Sequence, residues 1–73
     1  MQADKLIIMA NQIGSFYEAF PDQEEARQEI ANHLNKFWNL NMRKSIAAYV
    51  NEHQGAGLHA RVIEAIQQHI QLN

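Results

Sequence analysis

The groups best suited to chemistry in this sequence are four imidazoles, at His33, His53, His59 and His69. A metal site on a helix wants two histidines four residues apart, or a His-Glu-x-x-His run, so that both rings leave one face. Neither pattern occurs, and the nearest carboxylates are scattered over polar positions. The four rings therefore read as surface or edge-of-core groups, and no metal is expected. Ser15 and Ser45 are the serines, and neither sits in a nucleophile-elbow pattern. Gly55-Ala56-Gly57 has the glycines of a phosphate loop, but no strand precedes it and no lysine follows; it reads as a helix-ending turn. Glu18, Asp22, Glu24, Glu25 and Glu29 read as a solvated face rather than an acid/base pair. With no cysteine there is no thiolate nucleophile, no disulfide and no cysteine-ligated zinc or iron–sulfur cluster.

Nucleic-acid binding is tested by Arg43 and Lys44, which stand where a recognition helix would begin. Against it, the chain holds six Lys and Arg and eight Asp and Glu, a formal net charge of −2. A chain that contacts phosphates normally shows a basic footprint. A small helix–turn–helix DNA-binding regulator is therefore the weaker alternative.

The elements that must hold these residues are helices. Hydrophobic residues make up 47% of the 73 positions, the content of a folded chain rather than a disordered tail. The length allows one domain, over 1–73. Apolar residues recur near a period of 3.6, and β-branched residues do not alternate, so the fold class is all-α. One helix is predicted over about 3–19, with Leu6, Met9, Ala10, Ile13, Phe16, Tyr17 and Phe20 on its apolar stripe. Gly14 interrupts it where another helix could come close. Phe20-Pro21-Asp22 breaks the chain. A second helix, over about 23–38, has Asp22 as N-cap with Glu25 three residues on, and buries Ala26, Ile30, Leu34 and Phe37. Asn39 or Asn41 caps a third, over about 42–53, with Met42, Ile46, Tyr49 and Val50 on one face. The glycine turn precedes a fourth, over about 59–71, with Val62, Ile63, Ile66 and Ile70 inward. The expected architecture is a small antiparallel four-helix bundle.

No apolar run approaches the roughly 18 residues of a membrane span. The opening Met1-Gln2-Ala3-Asp4-Lys5 lacks the regions of a signal peptide, so no membrane is expected and the default location is the cytoplasm. A chain this short buries only about 60% of its unfolded surface. It needs well-packed helices or a partner chain. Three positions suggest the second: Ile8 points opposite the stripe of the first helix, Asn11 lies on that outer side too, and Trp38 lies off the stripe of the second, as does Ala31.

Met9-Ala10-Asn11-Gln12-Ile13-Gly14-x-Phe16, His33-Leu34-x-x-Phe37-Trp38, Met42-Arg43 and Gly55-Ala56-Gly57-Leu58 form an ordered series. The series resembles the delta subunit of the NAD-dependent, soluble formate dehydrogenases, over about residues 5–66. Two segments depart from it. Asn39-Leu40-Asn41 replaces an acidic residue and proline, and His59-Ala60 replaces Asp-Pro. Both exchanges weaken a helix-start signal and remove no chemical group.

The resemblance implies a non-catalytic accessory subunit that supports assembly, maturation or stability of a cytoplasmic oxidoreductase. In such complexes the large subunit carries a molybdenum or tungsten pterin and iron–sulfur clusters, and other subunits carry flavin and further clusters and reduce NAD. No cofactor is then expected in this chain, and its partners are the larger subunits. The residues assigned to the contact are Asn11, Gln12, Phe37, Trp38, Met42 and Arg43, with Trp38 as aromatic anchor, Arg43 on a partner carboxylate or carbonyl, and the amides on partner backbone. A third reading is a free-standing homodimer paired through Ile8 and Trp38.

Overall fold

The computed structural model describes residues 3–73; Met1 and Gln2, the first two residues of the domain expected over 1–73, lie outside the described residues. Four helices follow in order: α1 (Ala3–Phe16), α2 (Gln23–Phe37), α3 (Leu40–His53) and α4 (Ala60–His69). No strand occurs among the described residues, and the fold is the expected small all-α four-helix bundle.

The helix starts follow local chemistry. Asp22 is the N-cap of α2, its carboxylate accepting from the Glu25 N–H at 3.0 Å. Asn39 plays the same part for α3, accepting from the Met42 N–H at 2.9 Å, so α3 begins two residues earlier than its periodicity predicts. At the end of α3 the left-handed residue is Gln54, at φ 54°, ahead of Gly55 at φ 69°. Gly55 is needed twice over, because a Cβ there would also stand 2.7 Å from the Ile63 side chain.

Packing departs from a regular up-and-down bundle. The most extensive helix contact is between α2 and α4, where Arg27 meets Glu64 and Asn35 meets His69. The core gathers Leu6, Ile30, Leu34, Ile46, Val62 and Ile66 among others. α4 also presses on α1 at Gly14, where a Cβ would overlap Cγ2 of Val62; the glycine is the close approach its position predicts. Because α2 meets other helices over a broad face, it buries more than one stripe. Ala31 and Trp38, expected off-centre, are buried, Trp38 to 5% exposure.

The reverse holds at two helix ends. Phe16 and Phe37, read as core residues, are 74% and 66% exposed. Each is the last residue of its helix, where the helical stripe no longer faces a neighbour. α1 stops at Phe16 rather than continuing to 19. Tyr17 and Glu18 bond back to Gly14 and Ser15 in a tight turn ahead of Pro21. Ile8 is exposed, as its position opposite the stripe predicts. The surface area of 4592 Å² agrees with roughly 4,600 Å² for a compact monomer of this mass.

Candidate functional site

An apolar groove of about 530 Å³ is lined by Met9, Gln12, Ile13, Phe16, Tyr17, His33 and Trp38. Met9, Ile13 and Phe16 recur at helical spacing on α1, and Gln12 sits among them. Tyr17 stands edge-on to Phe16, with centroids 4.9 Å apart, and to Phe20 at 5.1 Å. On α2, His33 leans on Phe37 at 4.8 Å, and the Lys36 ammonium lies 5.6 Å from the same ring. Gln12 and His33 are the polar members of the lining, and no carboxylate belongs to it. A groove of this kind has the chemistry to take apolar side chains of another molecule, with an amide and an imidazole to orient them.

The six residues assigned to a partner contact separate here. Gln12 and Trp38 line the groove, Trp38 as a buried wall rather than an exposed anchor. Phe37 is the exposed aromatic beside it. Asn11 is turned to its own chain: its Nδ2 donates to the Gly57 carbonyl at 2.9 Å and its Oδ1 accepts from the His59 N–H at 2.9 Å. The expectation that Asn11 belongs to the free outer face is corrected by these two bonds. Met42 is half-buried against the core. Arg43 closes on two carbonyls, Nε on Trp38 at 3.1 Å and Nη1 on Gln71 at 2.8 Å. A recognition helix would aim that guanidinium at phosphate.

Two features had no clear signal in the sequence. Asn35 donates to the His69 carbonyl at 3.1 Å and accepts from the Gln71 N–H at 2.8 Å. Glu24, read as part of a solvated face, bonds the His69 ring at 2.7 Å and Arg27 at 3.1 Å, and Arg27 reaches on to Glu64 at 3.4 Å. The His69 and Arg27 bonds hold the Glu24 carboxyl below its ordinary range. The spacing of Glu24 and Arg27 is that of a helical ion pair, which is the one hint the sequence offered. Among the described residues, no three His, Asp or Glu side chains gather as a metal would require.

Comparison with known proteins settles the family. The description "NADH-dependent formate dehydrogenase delta subunit FdsD" matches residues 5–71 of the chain. The chain belongs to the FdsD delta-subunit family. No curated protein and no solved structure matches it. Formate dehydrogenase is an oxidoreductase, and a delta subunit of it implies larger partner subunits. Among the described residues of this FdsD-family chain, no helix is long and apolar enough to cross a membrane.

Proposed function

We propose that the chain is a non-catalytic accessory subunit, supporting assembly, maturation or stability of a cytoplasmic formate dehydrogenase, and that it docks on a larger subunit through the groove between α1 and α2. Family membership supports the complex. The observation that carries the docking face is the pair of phenyl rings, Phe16 and Phe37, left exposed beside an apolar groove on a chain whose core is otherwise closed. Gln12, Phe37 and Trp38 make the contact. Asn11, Met42 and Arg43 shape it from within by fixing the turn before α4 and the corner after α2. The chain holds no cofactor of its own in this reading. The absence of cysteine supports that, since iron–sulfur clusters need thiolates from other subunits.

Phe37→Ala and Phe16→Ala test the face without opening the core, whereas Trp38→Ala would remove a buried side chain. An interface anchor is worth about 2 kcal/mol, near 30-fold in affinity. Co-purification of each variant with the larger subunits is expected to fall while helix content and thermal midpoint stay unchanged. Full recovery of the complex with both rings removed refutes the face. A well-folded chain that never joins the other subunits, even unmutated, refutes the accessory role.

A further inference from the structure

The last four residues are held in an unusual way. α4 ends at His69, and Ile70–Asn73 belong to no regular element. Gln71, Leu72 and Asn73 are exposed, Ile70 packs half-buried on the core, and Leu72 lines a shallow groove with Ala47, Val50 and Ile66. What positions the segment is polar. Asn35 of α2 pairs with it in both directions, giving a proton to the His69 carbonyl and receiving one from the Gln71 N–H. Arg43 of α3 takes the Gln71 carbonyl. The His69 ring is tied to Glu24 one residue before the segment begins.

Arg43 does a second thing with the same guanidinium. Its Nε bonds the carbonyl of Trp38, the C-cap residue just after α2 and a wall of the apolar groove. The planar fork is thus set by two carbonyls at once, one in the terminal segment and one at the groove corner. A segment outside any helix, held mainly by surface hydrogen bonds and a half-buried isoleucine, opens far more readily than the helices beneath it. When it opens, the fork loses one of its two anchors.

We infer that Ile70–Asn73 is a releasable strap, clasped by Asn35, and that Arg43 transmits its state to the Trp38 corner of the apolar groove. The inference stands on the internal hydrogen bonds and holds whether or not the groove is the docking face. If it is, linkage makes the effect reciprocal: whatever settles on Trp38 shifts the strap, and strap release shifts the affinity of the groove.

Trp38 is the sole tryptophan, so its emission reports the corner directly. The test uses the full chain and two readouts, hydrogen exchange at the Gln71 amide and Trp38 emission. Asn35→Ala opens the clasp without touching Trp38. It is expected to speed exchange at Gln71 by at least about tenfold while amides within α2 and α4 keep their protection. Trp38 emission is expected to move to longer wavelength. In an Arg43→Ala chain, Asn35→Ala still frees Gln71 but no longer moves the emission. Asn35→Asp keeps the acceptor for Gln71 and loses the donor to His69, and gives a smaller change of the same kind. Gln71 protection that survives Asn35→Ala, or core amides that loosen together with it, overturns the strap. An emission shift of full size without Arg43 overturns the relay.

Discussion

The two ends of α4 are held by the same device. At one end Asn11, from α1, bonds the carbonyl of Gly57 and the N–H of His59; at the other Asn35, from α2, bonds the carbonyl of His69 and the N–H of Gln71. In both cases one amide side chain bridges a carbonyl and an N–H two residues apart, as a neighbouring backbone would. What differs is the chain being held. The segment before α4 has further ties: Leu58 is buried, its N–H bonds the Gly55 carbonyl at 2.8 Å, and the Tyr49 hydroxyl donates to the Ala56 carbonyl at 2.6 Å. The segment after α4 has Arg43 and a half-buried Ile70. One amide thus reinforces a turn already locked in the core, and the other carries much of the fastening of the segment after α4.

The comparison breaks most directly at the apolar residue beside each clamp. Leu58→Ala is expected to cost about 2–4 kcal/mol, the range for emptying a buried leucine site. Ile70→Ala should cost about 1 kcal/mol, because less of that side chain leaves water. Urea unfolding of the two variants, at matched slope, measures the difference; equal costs would erase the distinction between the ends.

The clamps themselves come next. Asn11→Ala leaves the Gly57 carbonyl and the His59 N–H without their protein partners and should cost about 1–1.5 kcal/mol. On a chain this size, that lowers the thermal midpoint by about 4–12 °C. Asn35→Ala should cost about 0.5 kcal/mol, since the freed strap meets water at once. A calorimetric midpoint that falls more for Asn35→Ala than for Asn11→Ala would reverse the assignment of fixed and releasable ends.

The smallest expected effect is at the Glu24 carboxylate, which ties α2 to the end of α4. Its pKa is lowered in the folded chain from an ordinary value of 4.5, by the His69 ring first and Arg27 next. A carboxylate with a lowered folded pKa adds stability that is present above the unfolded value and lost as pH falls through the folded one. Below about pH 4.5, wild type should therefore lose stability more steeply than Glu24→Gln, and added salt should shrink the gap. Parallel acid limbs for the two chains would show that the network is too exposed to matter.

Much of this architecture was legible in the residues. Pro21, Asp22, Asn39 and the Gly55–Gly57 turn mark three breaks, and four apolar stripes lie between them. Local chemistry sets those features, so local pattern finds them. The start of α4 at His59-Ala60 shows where local reading stops. His59 makes no side-chain cap, and its N–H is bonded instead by Asn11, 48 residues away. A helical wheel puts Asn11 on the outer face because it records direction and not what lies in that direction. The same wheel misjudges the burial of Phe16, Phe37 and Trp38 for a related reason. The wheel assumes one buried stripe per helix, while α2 packs most closely on α4, and the last residue of a helix has no neighbour opposite it.

The sequence by itself determined the helices, the caps of α2 and α3, the close approach at Gly14 and the family, because each of these is encoded within a few residues or in an ordered series of them. Only the tertiary structure decided which side chains are free to meet a partner. Amide and guanidinium groups are equally able to bond a partner or their own chain, and the choice depends on which backbone arrives within about 3 Å. That choice was made by how the four helices pack together. The packing places two carbonyls under Arg43 and the Gly57–His59 backbone beside Asn11, and leaves Phe16 and Phe37 in water.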